Sequence, residues 1–451
     1  MSAGAVANSD RKTFPRGVHP PEGKALAENA PIEVFPTPAK VVIPLVQHLG
    51  APAKPVVKPK QDVALGEVIA EAGGFISAAV HASIAGTAAK AVSVTLPNGR
   101  HVQAVPIAAG EAEQLEGQAL LADVLGGDWP TDVSGHEPKQ IADAARAAGI
   151  VGLGGAAFPT HVKLLKNDKK PIDTLLVNGC ECEPYLTADY RLMVEHPEPI
   201  VTGALLAAGA NAAERVVVVI EDNKPEAIEA VRKAAAGTKI ELAVARTKYP
   251  QGGEKQLILA VTGREVPTLG LPLDIGVVVV NVGTAAAIAR AVVRGKPLTH
   301  RVVTVTGPGV AEPKNLLVPV GVSYGELIEH CGGLTSAAVR VVAGGPMMGF
   351  TLGDLSAPVT KGTSGVTVLT DRDVRRGAET ACLRCGRCVD VCPLNLVASK
   401  IALAARHADW ELARKYHILA CMECGCCAYA CPASLPLVQL IRMGKALMPK
   451  E

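Results

Sequence analysis

Aromatic side chains are scarce: Phe, Trp and Tyr together make up 3% of the 451 residues. Cores with few rings must be packed from Val, Leu, Ile and Ala, which points to Ala-rich helices laid on Val-rich strands. Charge of one sign is missing too. With 45 Lys and Arg against 43 Asp and Glu, the net charge is +2. That leaves no electrostatic footprint for nucleic acid, and no basic stripe interleaved with aromatics is present. No apolar run approaches the ~20 residues of a bilayer-spanning helix. The longest, such as GVVVVNVG at 276–283, have the length of a buried strand. The opening residues, MSAGAVANSDRK, lack a long apolar stretch, which argues against an export signal. Length alone predicts two to four domains.

Against these scarcities stand 12 cysteines, eight of them in two copies of one pattern. Without an export signal, clustered thiols read as metal ligands in a reducing compartment before they read as disulfides. CLRCGRCVDVCP at 382–393 and CMECGCCAYACP at 421–432 share the spacing C-x2-C-x2-C-x3-C-P. This is the bacterial ferredoxin run for [4Fe–4S], in which three thiolates of one tight loop wrap a cube and the fourth ligates the other cube. One cluster is therefore expected on Cys382, Cys385, Cys388 and Cys431, the other on Cys421, Cys424, Cys427 and Cys392. Gly386 and Gly425 let backbone amides approach the sulfides. Zinc is the rival, but structural zinc sites pair short two-ligand knuckles rather than two runs of four. Cys426 reads as a small filler. Between the copies, Val397, Ile401, Ala404 and Ala405 and then Leu412, Tyr416 and Leu419 give helical periods, so the module is expected to be helical. Such clusters carry single electrons, and something upstream must deliver or accept them.

Upstream, PKQIADAARAAG at 138–149 reads as a short helix. The glycines of GIVGLGGAAFPTHVKL can bring bare amides against a phosphate, although the spacing is not G-x-G-x-x-G. Leu175–Val177 then form an apolar strand that empties into Asn178, Glu181, Glu183, Asp189 and Tyr190, the kind of strand end where open α/β sheets bind ligands. Cys180 and Cys182 read as buried fillers. RVVVVIE (215–221), IELAVAR (240–246) and IGVVVVN (275–281) alternate with helical segments at 224–237, 253–263 and 284–295, the signature of a parallel sheet covered on both faces. The turns KYPQGGEKQ and NVGT are expected on the same edge as Asn178.

Taken in order, GLGGAAFPTHVK, VNGCECEP, KYPQGGEKQ and VNVGT resemble the FMN- and NADH-binding subunit of respiratory complex I. With a two-cluster module behind them, and with PRGVHPPEGK and SAAVHASIAG near the start, the chain resembles more closely the C subunit of the Rnf electron-transport complex. The likeness runs from about Phe14 to the second cysteine run. It implies a multidomain α/β chain: an N-terminal extended segment (1–39), a β-rich lipoyl-like barrel-sandwich (40–120), a Rossmann-like flavin domain (130–297), a small β-grasp or SLBB domain (298–355) and an α-helical two-[4Fe–4S] ferredoxin domain (370–445). It also implies that Gly152, Gly154, Gly155 and Lys163 hold FMN. Asn178 and Glu181 would meet the isoalloxazine edge, Gly252 and Gly253 line the cavity, and Asn281 and Thr284 hold the phosphate. Phe158, Glu183 and Glu254 fall where the family places NADH. Against complex I, Ala157 replaces a glycine, Cys180 an acid and Gly253 a glutamate, and complex I's own short cysteine motif is missing.

The chemistry follows from a mismatch: NADH gives a pair of electrons as hydride, a cube takes one at a time, and a flavin stands between. The resemblance implies a peripheral, NADH-oxidising and reversibly NAD-reducing subunit on the cytoplasmic face of the membrane. Its partners would be a ferredoxin-like B subunit and integral membrane subunits, with ion translocation by the whole complex. A cobalamin reductase-like soluble enzyme and a flavin-free electron relay are the alternatives. The PNG at 97–99 reads as a hairpin turn, GGPMMG as a packing turn, His81 as a structural hydrogen-bonder, and the closing amphipathic helix as a docking helix.

Overall fold

In the computed structural model the described residues are 11–110, 114–374 and 377–449. Residues 1–10, on which the argument against an export signal partly rests, lie outside them. Four strands form a parallel sheet in the spatial order Ile240–Ala245, Arg215–Glu221, Thr174–Gly179, Val277–Asn281. In chain order this is 3-2-1-4, the first half of a doubly wound sheet, with its switch point between Thr174–Gly179 and Val277–Asn281. The three strands Arg215–Glu221, Thr174–Gly179 and Val277–Asn281 are apolar and largely buried because helices cover both sides, while the edge strand Ile240–Ala245 is only partly buried.

One covering helix, Pro197–Asn211, is buried nearly all round. It lies against Val282–Arg294 so closely that a Cβ on Gly203 would come within 1.8 Å of the Ala285 carbonyl oxygen. Sequence periodicity does not mark this helix: a helix apolar on every side has no polar stripe to set its phase.

The barrel-sandwich pairs Lys40–Pro44, His101–Ala109, Gly86–Ala88 and Asp62–Val63 in one sheet, and Lys54–Pro55, Val68–Glu71 and Val80–His81 in another. Val41, Ile43, Ile69, Val105 and Ile107 fill its core. Strands Val92–Thr95 and His101–Ala109 meet in a hairpin around the expected turn, where Asn98 Oδ1 accepts the Arg100 amide.

The β-grasp sheet reaches further than the expected 298–355. Strand Gly365–Thr370 lies inside it, and Ile32–Val34 from the N-terminal segment adds an edge. Lys361, 1% exposed, donates to the carbonyls of Ala79 and Gly149, both at 2.7 Å. It thus ties this region to the barrel-sandwich and the flavin domain, and burial pushes its pKa down to about 7. The C-terminal module is helical, with Ala398–Arg406, Trp410–Lys415 and the docking helix Leu437–Leu447. Among the described residues no helix is long and apolar enough to cross a membrane.

Candidate active site and cluster sites

The parallel register makes Asn178 and Asn281 direct neighbours on the two switch-point strands. Asn281 ends its strand and caps the helix Val282–Arg294. Its Oδ1 accepts the amides of Gly283 (2.8 Å) and Thr284 (3.3 Å), and its Nδ2 donates to Asp189 at 2.6 Å. Burial and the charge of Glu181 raise the Asp189 pKa to about 7. The glycine loop lies over this cap. Gly152 N donates to the Phe158 carbonyl at 2.8 Å and closes the neck of the loop. Leu153 N donates to Thr284 Oγ1 at 2.9 Å. A Cβ on Gly154 would lie 2.9 Å from Asn281 Cβ, so only glycine fits there, while nothing lies within 4 Å of a Cβ on Gly155. Gly154, Gly155 and Ala156 are exposed and Phe158 is half-buried. A bare-backbone loop over a helix N-terminus, beside an open space, fits a flavin nucleotide.

The third side is the loop after Ile240–Ala245. Asn178 Nδ2 donates to the Gly252 carbonyl at 2.9 Å, and a Cβ on Gly252 would come within 2.3 Å of the Cys180 carbonyl. Lys163 donates to Glu254 at 2.8 Å and to the Val279 carbonyl at 3.0 Å. Lys163, Asn178, Gly252, Glu254 and Asn281 are thus gathered on one edge, as expected. A separate pocket lies elsewhere. Ala286, Arg290, His300 and Leu317 line it, and it meets the site only at Leu153, Asp189 and Gly283.

Two carboxylates have other work than expected. Glu181 is expected at the isoalloxazine edge, but its oxygens accept the amides of Asp189 (3.0 Å) and Tyr190 (3.1 Å). It caps the helix Ala188–Glu195 because the free amides of a helix start are the nearest donors for a buried carboxylate. Glu183 is expected against the nicotinamide. It turns to the β-grasp turn instead, accepting the amides of Met347 (3.2 Å) and Met348 (2.8 Å). Burial raises its pKa to about 7. Thr284 is buried, with its oxygen already accepting Leu153. Burial pushes the Cys180 and Cys182 thiols well up, which leaves both poor nucleophiles.

The cysteine runs adopt one backbone shape twice. Arg384 and Glu423 have φ of 54° and 63°, Gly386 and Gly425 78° and 87°, and Asn395 and Ser434 56° and 52°. Non-glycine residues in this left-handed region cost energy, so their repetition at matched positions marks a shape imposed by function. A cleft open to solvent is lined by Cys421, Cys424 and Cys427 of the second run and by Cys392 of the first. These are the four residues of the second expected set, and four cysteines facing one cleft suit the ligands of a cube. Cys431 is buried in the module's core, with Cys382 and Cys388 packed on that core, and Cys385 is exposed.

The two sites differ in surroundings. Glu423, in the second run, pairs with Arg442 (3.0 Å) and Lys445 (2.8 Å). Arg442 also donates to the Met348 carbonyl at 2.8 Å. A Cβ on Gly425 would meet the Met347 carbonyl at 2.6 Å, and Tyr249 donates to the Cys424 carbonyl at 2.6 Å. The second run is therefore packed against the loop after Ile240–Ala245 (the flavin loop, 248–256), the β-grasp turn and the last helix. The first run shows Leu383, 65% exposed, to solvent. Local pattern puts Tyr249 in its loop without singling it out. Its one signal is a rare aromatic beside a double glycine.

A doubly wound nucleotide domain fused to a helical two-cubane module defines an electron-transfer flavoprotein. The comparisons agree in domain order. Residues 12–112 match the RnfC barrel sandwich hybrid domain, 145–290 the Nuo51 FMN-binding domain, 302–351 the SLBB domain and 375–432 a 4Fe-4S dicluster domain. The chain is 45% identical over 439 residues to the C subunit of the proton-translocating ferredoxin:NAD(+) oxidoreductase complex of Clostridium ljungdahlii, covering 96% of this chain and 94% of that one. It is 41% identical to the C subunit of the Na(+)-translocating complex of Acetobacterium woodii, covering 97% of each. The chain belongs to the C-subunit family of the ion-translocating ferredoxin:NAD(+) oxidoreductase, or Rnf, complexes. An NAD+-reducing [NiFe]-hydrogenase in its H2-reduced state shares the fold at a TM-score of 0.50 and 22% identity, over 76% of this chain and 69% of that one.

Proposed function

We propose that this chain is the NADH-oxidising, reversibly NAD-reducing subunit of a membrane-bound Rnf-type complex, and that it exchanges single electrons with the other subunits through two [4Fe–4S] clusters. FMN, when bound, supplies the conversion between hydride pairs and single electrons. The Gly152–Gly155 loop offers bare amides to it, Lys163 a positive charge and Asn178 a hydrogen-bonding amide. The first turn of Val282–Arg294, shaped by Asn281 and Thr284, favours its phosphate. Phe158, half-buried beside the glycine loop, and Glu254, paired with Lys163, are the candidates for nicotinamide contact. Lys163 holds Glu254 in place until a ligand competes for either.

One observation carries this reading. The loop from Lys248 to Gln256 touches both sites, through Asn178 to the Gly252 carbonyl, Lys163 to Glu254, and Tyr249 to the Cys424 carbonyl. The set Cys421, Cys424, Cys427 and Cys392 is the inner relay. The set Cys382, Cys385, Cys388 and Cys431, with its exposed loop, is the outer one and faces another member of the complex, such as a ferredoxin-like B subunit. The chain would sit peripherally on the cytoplasmic face, beside integral membrane subunits.

The test is anaerobic titration of iron-reconstituted, FMN-loaded protein with NADH, followed by visible absorbance and electron paramagnetic resonance. Bleaching of the flavin bands together with reduced-cluster signals is expected. Clusters that dithionite reduces but NADH does not, or zinc in place of iron, would overturn the reading.

A further inference from the structure

Tyr249 is 1% exposed and joins three parts of the chain. Its phenol donates to the Cys424 carbonyl at 2.6 Å. Its backbone exchanges two hydrogen bonds with Val18 of the N-terminal segment, both 2.9 Å. Two residues on, Gln251 leads into Gly252, whose carbonyl accepts Asn178. The N-terminal segment does more than pass by. Lys12 N donates to the Val244 carbonyl and Arg246 N to the Lys12 carbonyl, both 2.9 Å. Lys248 reaches the Phe14 carbonyl at 2.8 Å. On its other side, Gly17 N donates to the Val391 carbonyl at 3.1 Å, and Arg16 donates to the Val389 carbonyl at 2.8 Å. Val389 and Val391 belong to the segment between Cys388 and Cys392. Residues 12–18 therefore hold the flavin loop on one side and the cysteine module on the other. Gly17 has φ +84°, and a Cβ there would lie 2.5 Å from the Tyr249 carbonyl oxygen, so the close approach requires glycine.

We propose that Tyr249 is the positioning residue that sets the inner cluster against the flavin loop, and that residues 12–18 are the clasp that keeps it there. The inference deepens the flavin-to-cluster reading above and rests on it. A phenol hydrogen-bonded to a ligand-loop carbonyl fixes where that loop sits, and small displacements of a positioned group have large kinetic effects. The cysteine module keeps its own core around Ile401, Ala405, Leu437 and Ile441, so loosening the clasp leaves the clusters assembled.

The test uses the full chain, reconstituted with iron and FMN, as wild type, Tyr249→Phe and Gly17→Val. Three readouts are compared: iron content, potentiometric titration of the two paramagnetic signals, and stopped-flow reduction by NADH at flavin and cluster wavelengths. In both variants the iron of two clusters and the flavin phase stay as in wild type. The cluster phase slows roughly tenfold, the factor set by losing about 1.4 kcal/mol of positioning, and the midpoint of one signal moves while the other stays. Unchanged cluster phase and midpoints in Tyr249→Phe would overturn the proposal, as would loss of both signals together with the iron. If wild type shows no NADH-driven bleaching, the functional reading falls, and the midpoint shift in Tyr249→Phe still decides this proposal.

Discussion

Replacing Asn281 by Asp and by Ala separates its two jobs. Asn281→Ala removes the acceptor for Gly283 and Thr284, worth ~1 kcal/mol for a helix cap. It also removes the 2.6 Å donation to Asp189, and a bond to a carboxyl that is only partly ionised at neutral pH is worth roughly 1–2 kcal/mol. A net loss of about 2–3 kcal/mol lowers the thermal midpoint of the flavin domain by about 5–10 °C. Asn281→Asp keeps an acceptor at the helix N-terminus, where a negative charge is favoured. It sets that charge beside Asp189, however, and beside the proposed phosphate. At an effective dielectric of ~20, a carboxylate about 5 Å from a phosphate costs about 3 kcal/mol per unit charge. FMN affinity then falls about 100-fold or more. The assay is quenching of FMN fluorescence on titration with flavin-free protein, alongside differential scanning calorimetry. If Asn281→Asp binds FMN as tightly as wild type while Asn281→Ala loses stability, Asn281 only caps its helix and the phosphate sits elsewhere.

Cross-ligation predicts which cysteines share a signal: Cys392→Ala and Cys427→Ala should abolish the same paramagnetic signal, and Cys385→Ala and Cys431→Ala the other. Loss of one signal by both Cys392→Ala and Cys385→Ala would refute the crossed assignment. Gly203→Val places a Cβ 1.8 Å from the Ala285 carbonyl oxygen, so the helices must part; a loss of about 3 kcal/mol or more is expected in chemical denaturation. Lys361 should make stability rise with pH. Its pKa is pushed down to about 7 from the ordinary 10.5, so between those values the unfolded chain binds more protons than the folded one. Thermal midpoints should climb across that window in wild type and stay flatter in Lys361→Met.

The parallel sheet was legible because its strands are short Val-rich runs alternating with helical segments, and the register then put Asn178 beside Asn281. That Cys392 of the first run would lie with Cys421, Cys424 and Cys427 of the second was legible because ligand spacing is local chemistry. Helix Pro197–Asn211 escaped because burial on every side erases its periodicity. The edge strand Ile32–Val34 escaped because its partner, Lys314–Pro319, lies nearly 300 residues away.

Sequence by itself determined the ligand types, the Gly-rich turns and the strand and helix periods, since each depends on residues within a few positions of one another. Which acidic groups stay free for a ligand was a tertiary decision. Glu181 found the amides of a helix start, and Glu183 found Met347, 164 residues downstream. The same holds for which cysteine run is packed against the β-grasp turn and for the contacts of residues 12–18 with Val244, Tyr249 and Val391. A buried acceptor or a bare amide must bond to whatever the fold brings within ~3 Å, and spatial proximity of distant segments is not written in local pattern.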